Sequence, residues 1–356
     1  MSEGDRYLSV MLHLRTLQAW LDDPEVNELA VNEPGAVQLW RQGTWARVDA
    51  PAVNFEYLQT LGSFLANISR KPFDEAHPIL SAHLPGGERV EMTLPPTAAR
   101  GMIYLNLRKH TSRPFTLEQF KGQGYFTHTR HLFASGLGDE SHAGPCALLE
   151  PAQLKRWRLA QEGDWQAFLM DAVRGRDNIL VSGATGSGKT SFIRALIELI
   201  PDWERLITVE DTPEMPLHSH PNSQALFYRR DGQMGERIVG ATAKEVLQSV
   251  MRKTPQRVML AELRGDETFY YVQNVLNSGH PGGITTVHAN SPREAYLRVA
   301  LLIKASDEGR SLKLEDIIRL LHMLVHVVVQ LTFDPMSGRH VPSIYYDPMH
   351  SMAAVR

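Results

Sequence analysis

The chain has 356 residues, 43% hydrophobic and 22% charged, with a formal net charge of −3; that is room for two domains, each able to bury a core, in an ordinary globular composition. The slightly acidic total gives no electrostatic case for gripping a nucleic-acid backbone, and the single cysteine, Cys146, excludes an internal disulfide and fits a reducing cytosol. Met1-Ser2-Glu3-Gly4-Asp5 lacks the basic start of a signal peptide, and the longest apolar stretch, residues 320–331 with His322 and His326 inside it, is too short to span a bilayer, so any membrane association is expected to be peripheral.

Along the first third, helical spacing covers residues 7–21 and stops at Asp22-Asp23-Pro24. Strand-like runs follow at 26–31, 36–40 and 44–48, separated by Asn32-Glu33-Pro34-Gly35 and Arg41-Gln42-Gly43, which is hairpin punctuation. A helix is predicted over 54–69. Runs at 79–84 and 89–94 then flank Pro85-Gly86-Gly87-Glu88, and 102–107 closes the set. Antiparallel sheet with helices, an α+β domain over residues 1–121, is the economical reading. Residues 122–150 are rich in Gly, His and Ser with weak periodicity and read as a linker, loosest at 136–144. From 151 to 356 helical patterns alternate with short apolar strands, the signature of an α/β domain with a mainly parallel sheet.

Within that second domain stands Gly183-Ala184-Thr185-Gly186-Ser187-Gly188-Lys189-Thr190, the phosphate-loop pattern G-x-x-x-x-G-K-[ST]. An apolar run, 178–182, precedes it, and a run with helical spacing, Ser191 to Ile200, follows and ends at Pro201. Glycines at these places let backbone N–H groups turn inward around an anion, and the helix N-terminus adds partial positive charge. Residues 183–191 therefore bind nucleotide phosphates, with Lys189 reaching the β/γ-phosphates and Thr190 offering a hydroxyl to Mg²⁺. Ligands of an open parallel sheet sit beyond the C-terminal strand ends. Three further strands end in reactive groups: Glu210 after 206–209, Glu262 after 257–261, and His288 after 284–287. Hydrolysis of ATP needs a carboxylate for the attacking water, oxygen ligands for Mg²⁺ and a group that senses the γ-phosphate. Glu210 and Glu262 are the expected carboxylates, metal ligands together with Thr190, and His288 the expected sensor.

At this point the segments become specific. Ile207-Thr208-Val209-Glu210-Asp211-Thr212-Pro213-Glu214 resembles the aspartate box of the secretion ATPase superfamily, whose members power type II secretion, type IV pili and type IV secretion. Leu260-Ala261-Glu262-Leu263-Arg264-Gly265-Asp266-Glu267 is similar to its atypical Walker B, and Gly279-His280-Pro281-Gly282-Gly283-Ile284-Thr285-Thr286-Val287-His288-Ala289-Asn290 to its histidine box. The Gly-His-Pro-Gly-Gly form and the short chain resemble the type IV secretion and conjugation branch. Glu28-Leu29-Ala30-Val31-Asn32-Glu33-Pro34-Gly35 and Tyr104-Leu105-Asn106-Leu107-Arg108-Lys109 look like that branch's N-terminal domain, although Lys109-His110-Thr111-Ser112 stands where many relatives have basic-Pro-Ser.

The resemblance implies a RecA-like ATPase domain and an N-terminal domain that caps the nucleotide, forms the ring and supplies arginines to the phosphates; by position these are Arg89 and Arg108. Arg264 is expected to clamp Glu262 or Glu267. The resemblance further implies a homo-hexamer using ATP and Mg²⁺, at the cytoplasmic face of a bacterial inner membrane. Its partners would be other secretion ATPases and inner-membrane channel components, and its work pilus biogenesis and substrate transfer, plausibly of DNA in conjugation. A nucleic-acid motor on the same core would need a basic stripe or stacking platform that the sequence does not display. A small-molecule kinase finds no support in the histidine box, and a non-hydrolysing scaffold would release no phosphate.

Overall fold

The computed structural model describes residues 3–41, 44–84, 86–109, 115–133, 149–215, 217, 219–228, 240–277 and 279–355. Cys146, the 136–144 stretch, His110 to Ser112, Pro85 and Ser278 lie outside the described residues. The chain divides into two compact units, Met1–Arg113 and Pro114–Arg356.

The first unit is a six-stranded antiparallel sheet backed by helices. Its strands are β1 (Val26–Glu33), β2 (Ala36–Arg41), β3 (Thr44–Asp49), β4 (Ile79–His83), β5 (Arg89–Thr93) and β6 (Tyr104–Arg108), in the order β3-β2-β1-β6-β5-β4. Alternation does the sorting: on β5, Val90 and Met92 are buried while Glu91 is exposed, and on β6 Leu105 and Leu107 are buried while Asn106 and Arg108 are exposed. Period-two patterning of this kind belongs to a sheet with one wet face. The dry face packs on Leu58, Leu61 and Leu65 of the helix Phe55–Ser69 and on Val10 and Leu14 of Glu3–Leu14. Asn54 caps the former, its side chain accepting the Tyr57 N–H at 2.9 Å. The single helix expected over 7–21 is instead broken by a 3₁₀ turn, Arg15–Leu17, between Glu3–Leu14 and Gln18–Asp22. That tighter turn seats Leu17 fully in the core beside Val10 and Leu14. The last strand starts later than expected because the Met102 N–H is taken by Ala99 O in a turn.

The second unit is an eight-stranded sheet: β7 (Arg130–Leu132), β8 (Ile179–Gly183), β9 (Leu206–Glu210), β10 (Ser223–Phe227), β11 (Arg257–Leu260), β12 (Ile284–Val287), β13 (Val327–Asp334) and β14 (Gly338–Tyr346). The order is β10-β9-β11-β12-β8-β13-β14-β7, parallel except where β14 pairs antiparallel with β13. Both faces are covered, as a parallel sheet requires. Ile179 and Val181 of β8 point into one apolar cluster with Phe168, Phe192 and Leu196, while Leu180 points into the other with Val209, Leu260 and Val299.

Four strands escaped the sequence reading, β7, β10, β13 and β14. The segment 122–150, expected as a linker, contributes β7 to the sheet edge; β10 alternates weakly because it is an edge; and β14 follows β13 as a hairpin. The apolar stretch 320–331 is two elements, the end of helix Leu314–Leu324 and the start of β13. The change falls at Val325, whose carbonyl accepts from Tyr296 Oη at 2.8 Å, and His326, whose Nδ1 accepts the Asn178 N–H at 2.9 Å. Burial pushes His326 down to about 4, so it stays neutral and keeps that acceptor. No helix among the described residues is long and apolar enough to cross a membrane.

Candidate active site

The parallel registers bring four strand ends together. Val287 pairs with Ser182, Leu260 with Thr285, and Leu260 with Val209, so β8, β12, β11 and β9 finish side by side. The residues immediately beyond them are the glycine loop, His288, Glu262 and Glu210 itself.

The loop leaves β8 through Gly183, where a Cβ would lie 2.5 Å from Ser187 Oγ and 2.6 Å from Leu331 O; only glycine lets the neighbouring strand approach so closely. Gly186 (φ 79°) and Gly188 (φ 96°) take left-handed backbone, and Gly188 caps the helix Lys189–Ile197. Lys189 is buried at the head of that helix, with Thr190 and Ser191 following in its first turn. Lys189 Nζ donates to Gly183 O at 2.7 Å and Ala184 O at 2.9 Å, and lies 3.2 Å from His288 Nδ1. An ammonium only donates, so His288 Nδ1 is an acceptor and its proton sits on Nε2. That Nε2 is 3.0 Å from Glu262 Oε1. Burial lowers the His288 pKa, Glu262 opposes, and the cations Lys189 and Arg264 add to the lowering, so the imidazole is neutral.

Glu262 is clamped on its other oxygen by Arg264, as expected, and Arg264 also stands 4.0 Å from Asp211. The Arg264 and Gly265 N–H groups donate to Glu267 Oε1, both at 2.8 Å, which fixes the turn. Glu262 Oε1 is buried and, despite the nearby imidazole, receives no aligned hydrogen bond among the described residues. A buried carboxylate oxygen with unmet hydrogen-bonding capacity is rare and is one mark of a catalytic group. Thr286 Oγ1 donates to Ala261 O at 2.8 Å, tying β12 to this segment, while Ser182 Oγ and Gln330 Nε2 converge on Ala289 O at 3.3 and 3.2 Å, fixing the residue after His288.

Glu210 differs from its expected part. It is almost wholly buried, one oxygen accepting from Thr208 Oγ1 at 2.8 Å and the other from the N–H groups of Glu214 and Met215 at 2.7 and 2.8 Å. Burial holds its carboxyl above the ordinary range, the hydrogen bonds pulling the other way. The turn it shapes presents Glu214, whose Oε2 accepts from Thr190 Oγ1 at 3.1 Å. Hydroxyl and carboxylate together are hard oxygen donors, the kind Mg²⁺ takes. Among the described residues there is no cluster of three or more His, Cys, Asp or Glu that could hold a metal alone.

The base of the sheet holds residues the sequence did not single out. Asn178 Oδ1 accepts the Gly282 and Gly283 N–H groups at 2.9 and 3.0 Å, and its Nδ2 donates to Leu324 O at 2.7 Å. Fully buried Arg257 makes two 2.8 Å bonds to Glu204 and one of 2.7 Å to Val173 O. These fix the segment that β12 continues to His288.

In the first unit, Arg89 and Arg108 are directly opposite on β5 and β6, and Arg108 also pairs with Glu28 at 3.6 Å.

Residues 156–337 match the family described as type II/IV secretion system protein. The type IV secretion system protein VirB11 of Brucella abortus (strain 2308) is 39% identical over 345 residues, 96% of this chain and 91% of that one. PtlH of Bordetella pertussis is 35% identical over 347 residues, 96% of each. The chain belongs to the secretion ATPase family. The crystal structure of the VirB11 ATPase from the Brucella suis type IV secretion system, in complex with sulphate, aligns over 99% of this secretion ATPase and 98% of that chain, with 37% identity and a TM-score of 0.54. The pilus retraction motor PilT, at 15% identity and TM-score 0.55 over 95% and 85% of the two chains, shares the fold. ATP hydrolysis in the service of secretion is the role that this membership carries.

Proposed function

We propose that this secretion ATPase is a Mg²⁺-dependent ATP hydrolase working as a homo-hexamer, powering pilus biogenesis and substrate translocation by a type IV secretion system, with conjugative DNA transfer as the substrate process. The observation that carries the hydrolytic reading is the chain of contacts Lys189–His288–Glu262, ending on a buried carboxylate oxygen with no aligned donor. A water bound at that oxygen would be oriented and deprotonated by Glu262, the general-base part of the reaction. His288, held neutral, would sense the γ-phosphate. The loop 183–191 would cradle the phosphates with its N–H groups, and Lys189 would exchange its carbonyl partners for them.

Thr190 would ligate Mg²⁺ directly, with Glu214 and Glu262 as the surrounding carboxylates; the ion would neutralise charge on the transferring phosphoryl group. Arg89 and Arg108 are assigned as phosphate ligands from the first unit, since arginine suits multidentate phosphate contact. Partners would be other secretion ATPases and channel subunits of the inner membrane, at whose cytoplasmic face the protein would associate peripherally. Electron microscopy of the purified protein with and without ATP tests the assembly: a six-fold ring is expected, and a persistent monomer would refute it.

A further inference from the structure

The hairpin of β13 and β14 runs on past the point where β13 leaves the sheet. Leu331 is the last residue in register with β8, opposite Gly183, and β13 continues three residues further to Asp334 before the chain turns. That turn is rigid. Asp334 Oδ1 accepts the Met336 and Ser337 N–H groups at 2.8 and 2.9 Å, and Gly338 supplies the left-handed residue, φ 74°. Arg339, the next residue, is the cross-strand partner of Phe333, and its guanidinium carbon stands 5.7 Å from the centre of that ring. Held so, its Nε donates to Gly186 O at 2.9 Å, inside the glycine loop, and its Cδ lies 3.4 Å from where a Cβ on Gly188 would be.

A planar trans peptide directs its C=O and its N–H to opposite sides. Pinning Gly186 O outward therefore turns the Ser187 N–H back into the curl of the loop, where its nitrogen donates to Ala184 O at 3.3 Å. The guanidinium is charged at every accessible pH and donates in a fixed fork. It adds a cation beside the loop, contributed from 153 residues away in sequence.

The geometry points to Arg339 as a positioning residue for nucleotide: through Gly186 it sets the orientation of the loop N–H groups that meet the phosphates, and its charge favours the anion they hold. This rests on the reading of 183–191 as the phosphate site. Binding organised before the chemical step appears in affinity, not in turnover at saturation.

The test compares ATP affinity, kcat, KM and nucleotide-free thermal unfolding in Arg339→Gln, Arg339→Lys and Lys189→Gln. Arg339→Gln keeps much of the stem over Phe333 and removes the charge. ATP affinity should weaken about tenfold, the scale of one lost charge-assisted hydrogen bond, and KM should rise with it. The kcat should stay within about twofold and the unfolding midpoint should not move. Arg339→Lys should recover most of the affinity. Wild-type affinity in Arg339→Gln with binding lost in Lys189→Gln overturns the role of Arg339 and leaves the loop reading standing. Wild-type affinity in both overturns the loop reading and this inference with it. A fall in kcat at unchanged KM, or a loss of affinity matched by a lowered unfolding midpoint and not restored by Lys, also overturns it.

Discussion

Glu262 Oε1 lies 3.0 Å from His288 Nε2, on the opposite edge of the imidazole from the one that faces Lys189. The phosphate-loop lysine and the strand-end carboxylate are thereby joined through one neutral ring. Each of the three side chains comes from a different strand end, and only the order β9-β11-β12-β8 brings those ends together. On the proposed assignment, the arrangement makes the protonation state of His288 a condition of activity.

Protonation would place a proton on His288 Nδ1, turning the acceptor of Lys189 into a donor facing a cation. Because burial and the nearby cations depress its pKa, the neutral form persists below the ordinary histidine value of about 6.5. The rate should therefore hold down to that value and fall only as pH drops through the depressed pKa, and His288→Gln should remove this acid limb. An acid limb centred above about 6.5 in the wild type, or one unchanged in the variant, would contradict the assignment.

Lys189→Gln should abolish hydrolysis. The substitution removes the one charge that the loop holds inside itself, now bonded to Gly183 O and Ala184 O. Phosphate release at background level is the expected reading, and turnover near wild type would remove the site from this loop.

Magnesium dependence should separate two carboxylates of one turn. Removing Mg²⁺ with a chelator should stop hydrolysis. Glu214→Gln, which alters the group on Thr190, should raise the Mg²⁺ concentration needed for half-maximal rate several-fold with little loss of stability. Glu210→Gln should instead lower the unfolding midpoint, since it alters a buried acceptor of three hydrogen bonds. The reverse pattern would return the metal-ligand role to Glu210.

At the base of the sheet, Arg257→Met leaves Glu204 buried without its main partner. The cost should be about 3–5 kcal/mol in denaturant unfolding. Burial acts to raise the Glu204 pKa, but the Arg257 hydrogen bond and the charges of Arg257 and Arg176 outweigh it and hold the carboxyl low. A depressed carboxyl stabilises the folded state above its unfolded pKa and loses that contribution as pH falls through the folded one. Wild-type stability should thus decline on acidification, and less steeply in Glu204→Gln.

The glycine loop was legible because its chemistry is written in consecutive residues, and the strands ending in Glu210, Glu262 and His288 because buried parallel strands are short apolar runs. What stayed hidden depends on contacts distant in sequence. Nothing local distinguishes Glu214 from Glu210; the difference appears only when the turn closes and Glu210 takes the Glu214 and Met215 N–H groups. Asn178 reads as a polar residue ahead of a strand until Gly282 and Gly283 come to lie against it. Edge strands such as β10, with Gln224 and Ala225 exposed, carry too little alternation to be seen. In the first unit the pattern was most legible in β4, β5 and β6, where one wet face and one dry face write period two into the strand.

The most direct test of the account is Glu262→Gln, assayed for both ATP binding and phosphate release. Glu262 is assigned to the attacking water and the loop to the phosphates, so the two activities should separate. ATP affinity should remain near wild type while phosphate release falls by about a hundredfold or more, the scale of a lost general base. Phosphate release at the wild-type rate, or a loss of binding equal to the loss of turnover, would contradict it.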